Sequence, residues 1–397
     1  MRRRFTVPFA AAGLALAVFS ILPVGGPAGA SERPDRGAAV AVVTGDATSP
    51  LAVVTNGLVH ALDRAFDRGA GFAVVDAGGR PKLYSVGLGG SFGNSDAREA
   101  AMAGMLALVA HALDRVVPRT PQSDPWTAVA EAVGWLQGQG GGTLFLENSG
   151  LGTTGFLNYR QAGLLDAAPQ ELVTFARAHH ELPDARGLRV VLVGIGWTAE
   201  PQPPLGAPSR ANLVAQWRAL LRAAGASVSV DPTPLTGAGP AHAPRVSIVK
   251  LQETAWRPPD GTCGAAIDAT ELHFAVGTAT LLDPAAAANV LQGLVPFLVA
   301  HHLVVSVTGT TSSEGGPAIN DPLSTARAEK IAALLEQLGL PPAQIGSVVG
   351  LATRFQGFVP DTGPGGTLLP GPAAEDRQVI LTWACVPGVT APHVGST

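Results

Sequence analysis

Between Ala38 and Val43 the chain is uniformly apolar, and it stops at a polar turn that runs from Thr44 to Pro50. A run this short and this apolar predicts a buried strand followed by a loop. From Asn56 the rhythm changes, with Leu58, Leu62 and Phe66 recurring at helical spacing until Gly69. The segment 71–90 alternates around a Gly78-Gly79 turn and reads as a hairpin. Two helical stretches follow, near 95–117 and 124–139, each opened by an Asp/Ser-type cap, with Pro125 at a first helical position. Strand-like runs at 141–150, 188–198 and 227–232 then alternate with helical segments at 168–182 and 209–226. Strand-sized apolar runs alternating with helices predict an α/β fold with a doubly wound, mostly parallel sheet.

The C-terminal third has another pattern. Strands are expected at 271–282, 303–309, 343–352 and 376–383, with helices after Asp283-Pro284 and from about Leu323. That order predicts a two-layer β-α-β-α-β domain, one sheet covered by helices. The expected organisation is a leader at 1–30, an α/β domain at 38–252, a connecting segment at 253–267 and a second domain at 268–387. The 397 residues are long enough for two such cores, and 46% of them are apolar. Charged residues make up only 14%, and the 49 glycines and 33 prolines show no collagen-like period, so they read as loops.

The first thirty residues change the picture of where the chain works. Three arginines precede an apolar run from about Phe5 to Val24, and Ala28-Gly29-Ala30 fits a signal-peptidase site. The expectation is a cleaved secretory signal, with an uncleaved anchor as the alternative. Its removal takes three arginines and no acids, shifting net charge from −4 to −7. A mildly acidic, exported chain is a poor nucleic-acid binder. Its two cysteines, Cys263 and Cys385, flank the second domain and are expected to bridge.

The motif at the centre of that domain is Gly309-Thr310-Thr311-Ser312, Gly315, Asn320, Leu323-Ser324 and Arg327-Ala328, with Asp376-Arg377-Gln378-Val379 following. This resembles, without a gap across loop and helix, the pattern of the OmpA-like periplasmic domain, a peptidoglycan-binding module. The resemblance implies a site for the diaminopimelate side chain of the stem peptide, formed by Arg327, Ser312, Thr311, Asn320, Leu323 and Arg377. That side chain is a zwitterion, and a planar guanidinium suits its carboxylate. Its ammonium requires an anion, and the family's aspartate position is Ser312 here. Glu314 and Asp321 are the nearby candidates to stand in, and Asn320 is expected to fix the loop.

The first domain more loosely resembles a von Willebrand factor A-like fold. The metal turn of such domains corresponds here to Asp46, Thr48 and Pro50, with Asn148 at the end of a later strand. One oxygen is missing, so no metal or other cofactor is expected. Asp46, Thr48 and Asn148 are expected along the carboxyl edge of the sheet, the edge where open α/β sheets bind partners.

Three further motifs resemble functional signatures. Gly89-Gly-Ser91-Phe-Gly93 matches a nucleophile elbow, but nothing positions His179, His180 or His242 beside it. Gly194-Ile-Gly196 follows a strand yet precedes a proline-rich segment rather than a helix. The pairs His179-His180 and His301-His302 are adjacent and diverge on a helix, so they suit helix C-termini better than a metal. The resulting expectation is a non-enzymatic, exported envelope protein. It would bind peptidoglycan through one domain and present the other to a further envelope protein. Two alternatives stay open: a secreted hydrolase using Ser91, and an OmpA-like domain that serves only in assembly.

Overall fold

The apolar run from Ala38 to Val43 forms β1 (Ala39–Thr44), buried on both faces. The computed structural model describes residues 38–89, 93–240, 243–244, 247–251, 262–272 and 274–389. The expected leader, Ser91 and His242 lie outside the described residues. Around β1 the chain builds a six-stranded sheet from β2 (Gly71–Asp76), β3 (Lys82–Gly87), β4 (Gly142–Glu147), β5 (Arg189–Val193) and β6 (Ser227–Asp231). The strand order is β3-β2-β1-β4-β5-β6, and only β3 runs antiparallel, because it closes the Gly78-Gly79 hairpin on β2. The chain moves outward from β1 on one side and then returns to its other side through β4.

Helices cover both faces, as the α/β pattern requires. They are α1 (Asn56–Asp67), α2 (Ser95–Arg115), α3 (Pro125–Gly138), α4 (Pro169–Ala178) and α5 (Ala207–Ala223). Alternation along β1 sorts the core. Val40 and Val42 pack with Leu58, Leu62, Phe66, Met105 and Val109 of α1 and α2. Ala41 and Val43 pack with Val129, Leu136, Leu172, Trp217 and Leu220 on the opposite face. The caps follow the sequence: Thr55, Asn94 and Asp124 each accept a hydrogen bond from a backbone N–H in the first turn.

The second sheet contains β7 (Cys263–Asp268), β8 (Val305–Thr310), β9 (Ile345–Ala352) and β10 (Gln378–Trp383), in the order β7-β10-β8-β9. Its helices are α6 (Pro284–Gln292), α7 (Leu294–Ala300), α8 (Pro317–Gln337) and α9 (Pro370–Glu375). Leu291, Leu294, Leu298, Ile331 and Leu335 meet Val305, Val307, Val379 and Leu381 in a core separate from the first. Among the described residues no helix is long and apolar enough to cross a membrane.

Three expectations are corrected. The segment 271–282 is not a strand; it turns back at Gly277, so that Phe274 and Leu281 meet in an isolated bridge and enter the core without a ladder. The strand is β7, placed at the end of the expected connecting segment. Its small residues hide the alternation that buries Ala265 and Ile267. The long helix α8 starts at Pro317 rather than near Leu323, with Pro322 inside it. That proline falls early enough in the helix to forfeit only a bond near the N-terminus.

Cys263 and Cys385 form the expected disulfide, Cα atoms 5.0 Å apart. Cys263 lies opposite Trp383 in the β7–β10 ladder, so the bridge ties the start of β7 to the residues just past the end of β10, its neighbour in the sheet. The two halves also touch directly, through loops and the short helix α9. A Cβ added to Gly163 would stand 2.1 Å from the Gly371 carbonyl, and one on Gly371 would stand 2.6 Å from the Ala162 carbonyl. Thr270 adds a bond to the Asp166 carbonyl at 3.1 Å.

Candidate functional site

The loop after β8 is fixed from several sides. Gly309 sits where α8 crosses the strand, and any Cβ there would meet the Ser324 carbonyl at 2.0 Å. The Thr310 hydroxyl donates to the Asp376 carbonyl at 2.6 Å, and the Thr311 N–H to that of Ala352. Ser313 binds Asp361 through its N–H and its hydroxyl at 2.7 and 2.5 Å. Asn320 donates from its side chain to the Ser312 carbonyl at 2.9 Å, so it fixes the loop as expected, though from within α8. Thr311 is buried, and its hydroxyl oxygen has no hydrogen-bond partner.

Arg327 lies in the third turn of α8 and is only 3% exposed. Its Nε donates to the Thr278 carbonyl at 3.0 Å, and its guanidinium lies 5.3 Å from the centre of the Phe274 ring. Nη1 is buried with no partner. Burial, with Arg377 nearby, pulls its pKa down to about 10, still charged at neutral pH. An ionised guanidinium with an unused donor inside the protein invites an acceptor.

Arg377, just before β10, is the second cation of the site. Its Nε and Nη2 donate to the Ser312 hydroxyl at 3.2 and 3.1 Å. Its Nη1 and Nη2 also grip Glu171 of α4, at 2.9 and 2.6 Å. This pair is well shielded, with side chains 15% and 10% exposed. Burial raises the Glu171 carboxyl above its ordinary value, against the pull of Arg377. Glu314 stands 3.6 Å from Arg377, but its side chain is 61% exposed. Asp321 is turned away and pairs with Arg354 at 2.8 Å.

These groups surround a cavity of about 170 Å³ lined by Thr311, Ser312, Asn320, Leu323, Arg327, Arg377, Glu171 and Glu314. All six candidate residues expected for this site are therefore brought to one place. A larger cavity of about 330 Å³ shares Arg327 and Arg377 and reaches Phe274, Thr270, Asn212 and Asp166. Sequence reasoning missed Glu171, an acid in the first turn of a helix in the other half of the chain, because nothing local connects it to the loop.

The other candidate edge is corrected. Asp46, Thr48 and Asn148 do converge at the carboxyl ends of β1 and β4, but all three are buried. Asp46 accepts from the Thr48 N–H and hydroxyl at 2.7 and 2.8 Å, from Asn148 at 3.4 Å and from the Ser123 hydroxyl. Its oxygens are already engaged within the protein, so the cluster is an internal polar plug rather than an exposed contact edge. Among the described residues no three His, Cys, Asp or Glu side chains are grouped to hold a metal. His179 and His301 pack at a tilt against Phe175 and Phe297, while His180 and His302 take the left-handed conformation that ends a helix.

Residues 273–360 match the OmpA family, which makes this part of the chain an OmpA-like domain. Solved structures similar to it include the OmpA-like domain of FopA1 from Francisella tularensis, 25% identical over 34% of this chain and 77% of that one, TM-score 0.23. The cell wall anchor of the T6SS from Pseudomonas aeruginosa is 21% identical over 32% of this chain and 82% of that one, TM-score 0.26. The peptidoglycan-associated lipoprotein from Burkholderia pseudomallei is 21% identical over 30% and 88%, TM-score 0.23. No curated protein matches the chain.

Proposed function

We propose that this protein is an exported envelope protein that holds peptidoglycan non-covalently through its OmpA-like domain. The carrying observation is Arg327: a buried, ionised guanidinium whose Nη1 has no partner, at the wall of a cavity of about 170 Å³. The stem peptide's diaminopimelate carboxylate would complete that hydrogen bonding. Ser312, Thr311, Asn320, Leu323 and Arg377 would shape the walls around it. The leader at 1–30 would direct export. The six-stranded, von Willebrand A-like half would meet another envelope protein. The observation favours ligand binding over a purely architectural role, since a guanidinium kept only for packing would have its donors satisfied.

The test is co-sedimentation of the mature chain with purified diaminopimelate-type peptidoglycan. The parent chain should pellet with it, and Arg327→Ala should stay largely in the supernatant. A parent chain that does not pellet sinks the proposal, and equal retention of both removes Arg327 from the site.

A further inference from the structure

A ligand carboxylate seated on Arg327 accounts for only half of a zwitterion. The ammonium needs an anion within the same cavity, and Ser312 offers a hydroxyl already engaged by Arg377. Two carboxylates line the cavity, Glu171 and Glu314. Glu314 is mostly exposed, so water competes for it. Glu171 is shielded, and both its oxygens are fixed by the fork of Arg377. A carboxylate has about four acceptor positions, and Arg377 takes two of them. Glu171 therefore keeps acceptor capacity while being held rigidly. Counted together, two guanidinium groups and two carboxylates make the cavity wall neutral overall with its charges separated. That distribution matches a neutral, doubly charged ligand end better than a simple anion.

We infer that Glu171, carried by α4 of the six-stranded half, supplies the anion that position 312 lacks, so that the zwitterion is received between the two halves of the chain. Its carboxylate goes to Arg327 and its ammonium to Glu171, while Arg377 positions Glu171. This rests on the peptidoglycan reading proposed above. It adds that the recognition site is composite: the OmpA-like domain provides the cation and its neighbour the anion.

The experiment measures equilibrium binding of the full mature chain to diaminopimelate-type peptidoglycan, native and chemically N-acetylated at its free side-chain amines. The parent should prefer the native material. Glu171→Gln should weaken binding to native peptidoglycan by roughly ten- to a hundredfold, the scale of one charge-assisted bond. Acetylation should cost the Glu171→Gln variant nothing more, because the same contact is already gone. Ser312→Asp added to Glu171→Gln should restore part of the loss. Four results overturn the inference: parent-like binding by Glu171→Gln, losses that add, equal parent binding to both materials, or tighter binding by Glu171→Gln. The last would make Glu171 an occupant that blocks the cavity. The comparison of two materials with the parent needs no variant, so it stands even if Glu171→Gln fails to fold. If the parent binds neither material, the peptidoglycan reading itself fails and this inference with it.

Discussion

Glu171 and Arg377, 206 positions apart in the chain, meet in a two-pronged ion pair with N–O distances of 2.6 and 2.9 Å. The pair joins the six-stranded half to the four-stranded half at the edge of the candidate site. Removing one partner leaves the other charge shielded from water without a counter-ion. Arg377→Ala should therefore lower unfolding free energy by about 2–4 kcal/mol, somewhat below a fully buried pair. Glu171→Leu combined with Arg377→Met should recover most of that loss. Urea denaturation of the three chains decides it, and an additive double variant contradicts the pairing.

Acids gathered where the two halves meet make stability depend on pH. Burial and neighbouring carboxylates raise Asp166 to about 6 and Glu271 to about 7, and Asp376, beside the site, is raised to about 7. Asp268 is raised as well. Each folded carboxyl therefore holds its proton more tightly than in the unfolded chain. Between about pH 4.5 and pH 7 the folded state carries more protons, so stability falls as pH rises through that window. The shifts at Asp166 and Glu271 are each worth about 3 kcal/mol. The urea midpoint should be higher at pH 5 than at pH 8, and Glu271→Gln should flatten the difference. A midpoint that rises with pH contradicts this assignment.

The contact between Gly163 and Gly371 separates two kinds of glycine cost. Gly163 has φ +71° and no room for a Cβ, whereas Gly187 has φ +77° with open space around it. Gly187→Ala should cost only the left-handed backbone penalty, about 1–2 kcal/mol. Gly163→Ala should cost that and about 1–3 kcal/mol more, because the halves must shift apart. Thermal melts of the two variants give the comparison, and equal losses mean the halves do not press together there.

The disulfide closes a loop of 122 positions. Constraining a loop of that length in the unfolded chain stabilises the fold by about 4–5 kcal/mol in the chain-entropy account. Cys263→Ser with Cys385→Ser should lower the melting temperature of the four-stranded half. Reducing the parent chain should have the same effect, and unchanged melting would show that the bridge adds nothing.

The regular elements were legible because β1, β4 and β5 are apolar runs and because Asp124, followed by Pro125, marks the start of its helix. The loop-and-helix pattern from Gly309 to Ala328 led directly to Arg327 and Asn320. Legibility ended where contacts cross the whole chain. Glu171 looks like an ordinary first-turn acid, and only the packing of α4 against the second half places it beside Arg377. Asp46 and Asn148 looked like an exposed edge because a sequence shows polarity but not the Ser123 hydroxyl that covers it. Strand β7 escaped notice because Gly264, Ala265 and Ala266 carry almost no apolar signal, while Phe274 and Leu281 drew attention to a turn.

The position of the Cys263–Cys385 bridge also bears on mechanical load. A wall-bound chain pulled through its six-stranded half would receive tension at Cys263, where the chain enters β7. The hydrogen bonds of an antiparallel pair run straight across the ladder, so an edge strand drawn away from its neighbour at one end opens one pair at a time. Here the first pair in line is Cys263 with Trp383, and the bridge to Cys385 lies beside it. Tension at that point meets a covalent bond before it meets the ladder, so the strand cannot be peeled from its loaded end while the disulfide is intact.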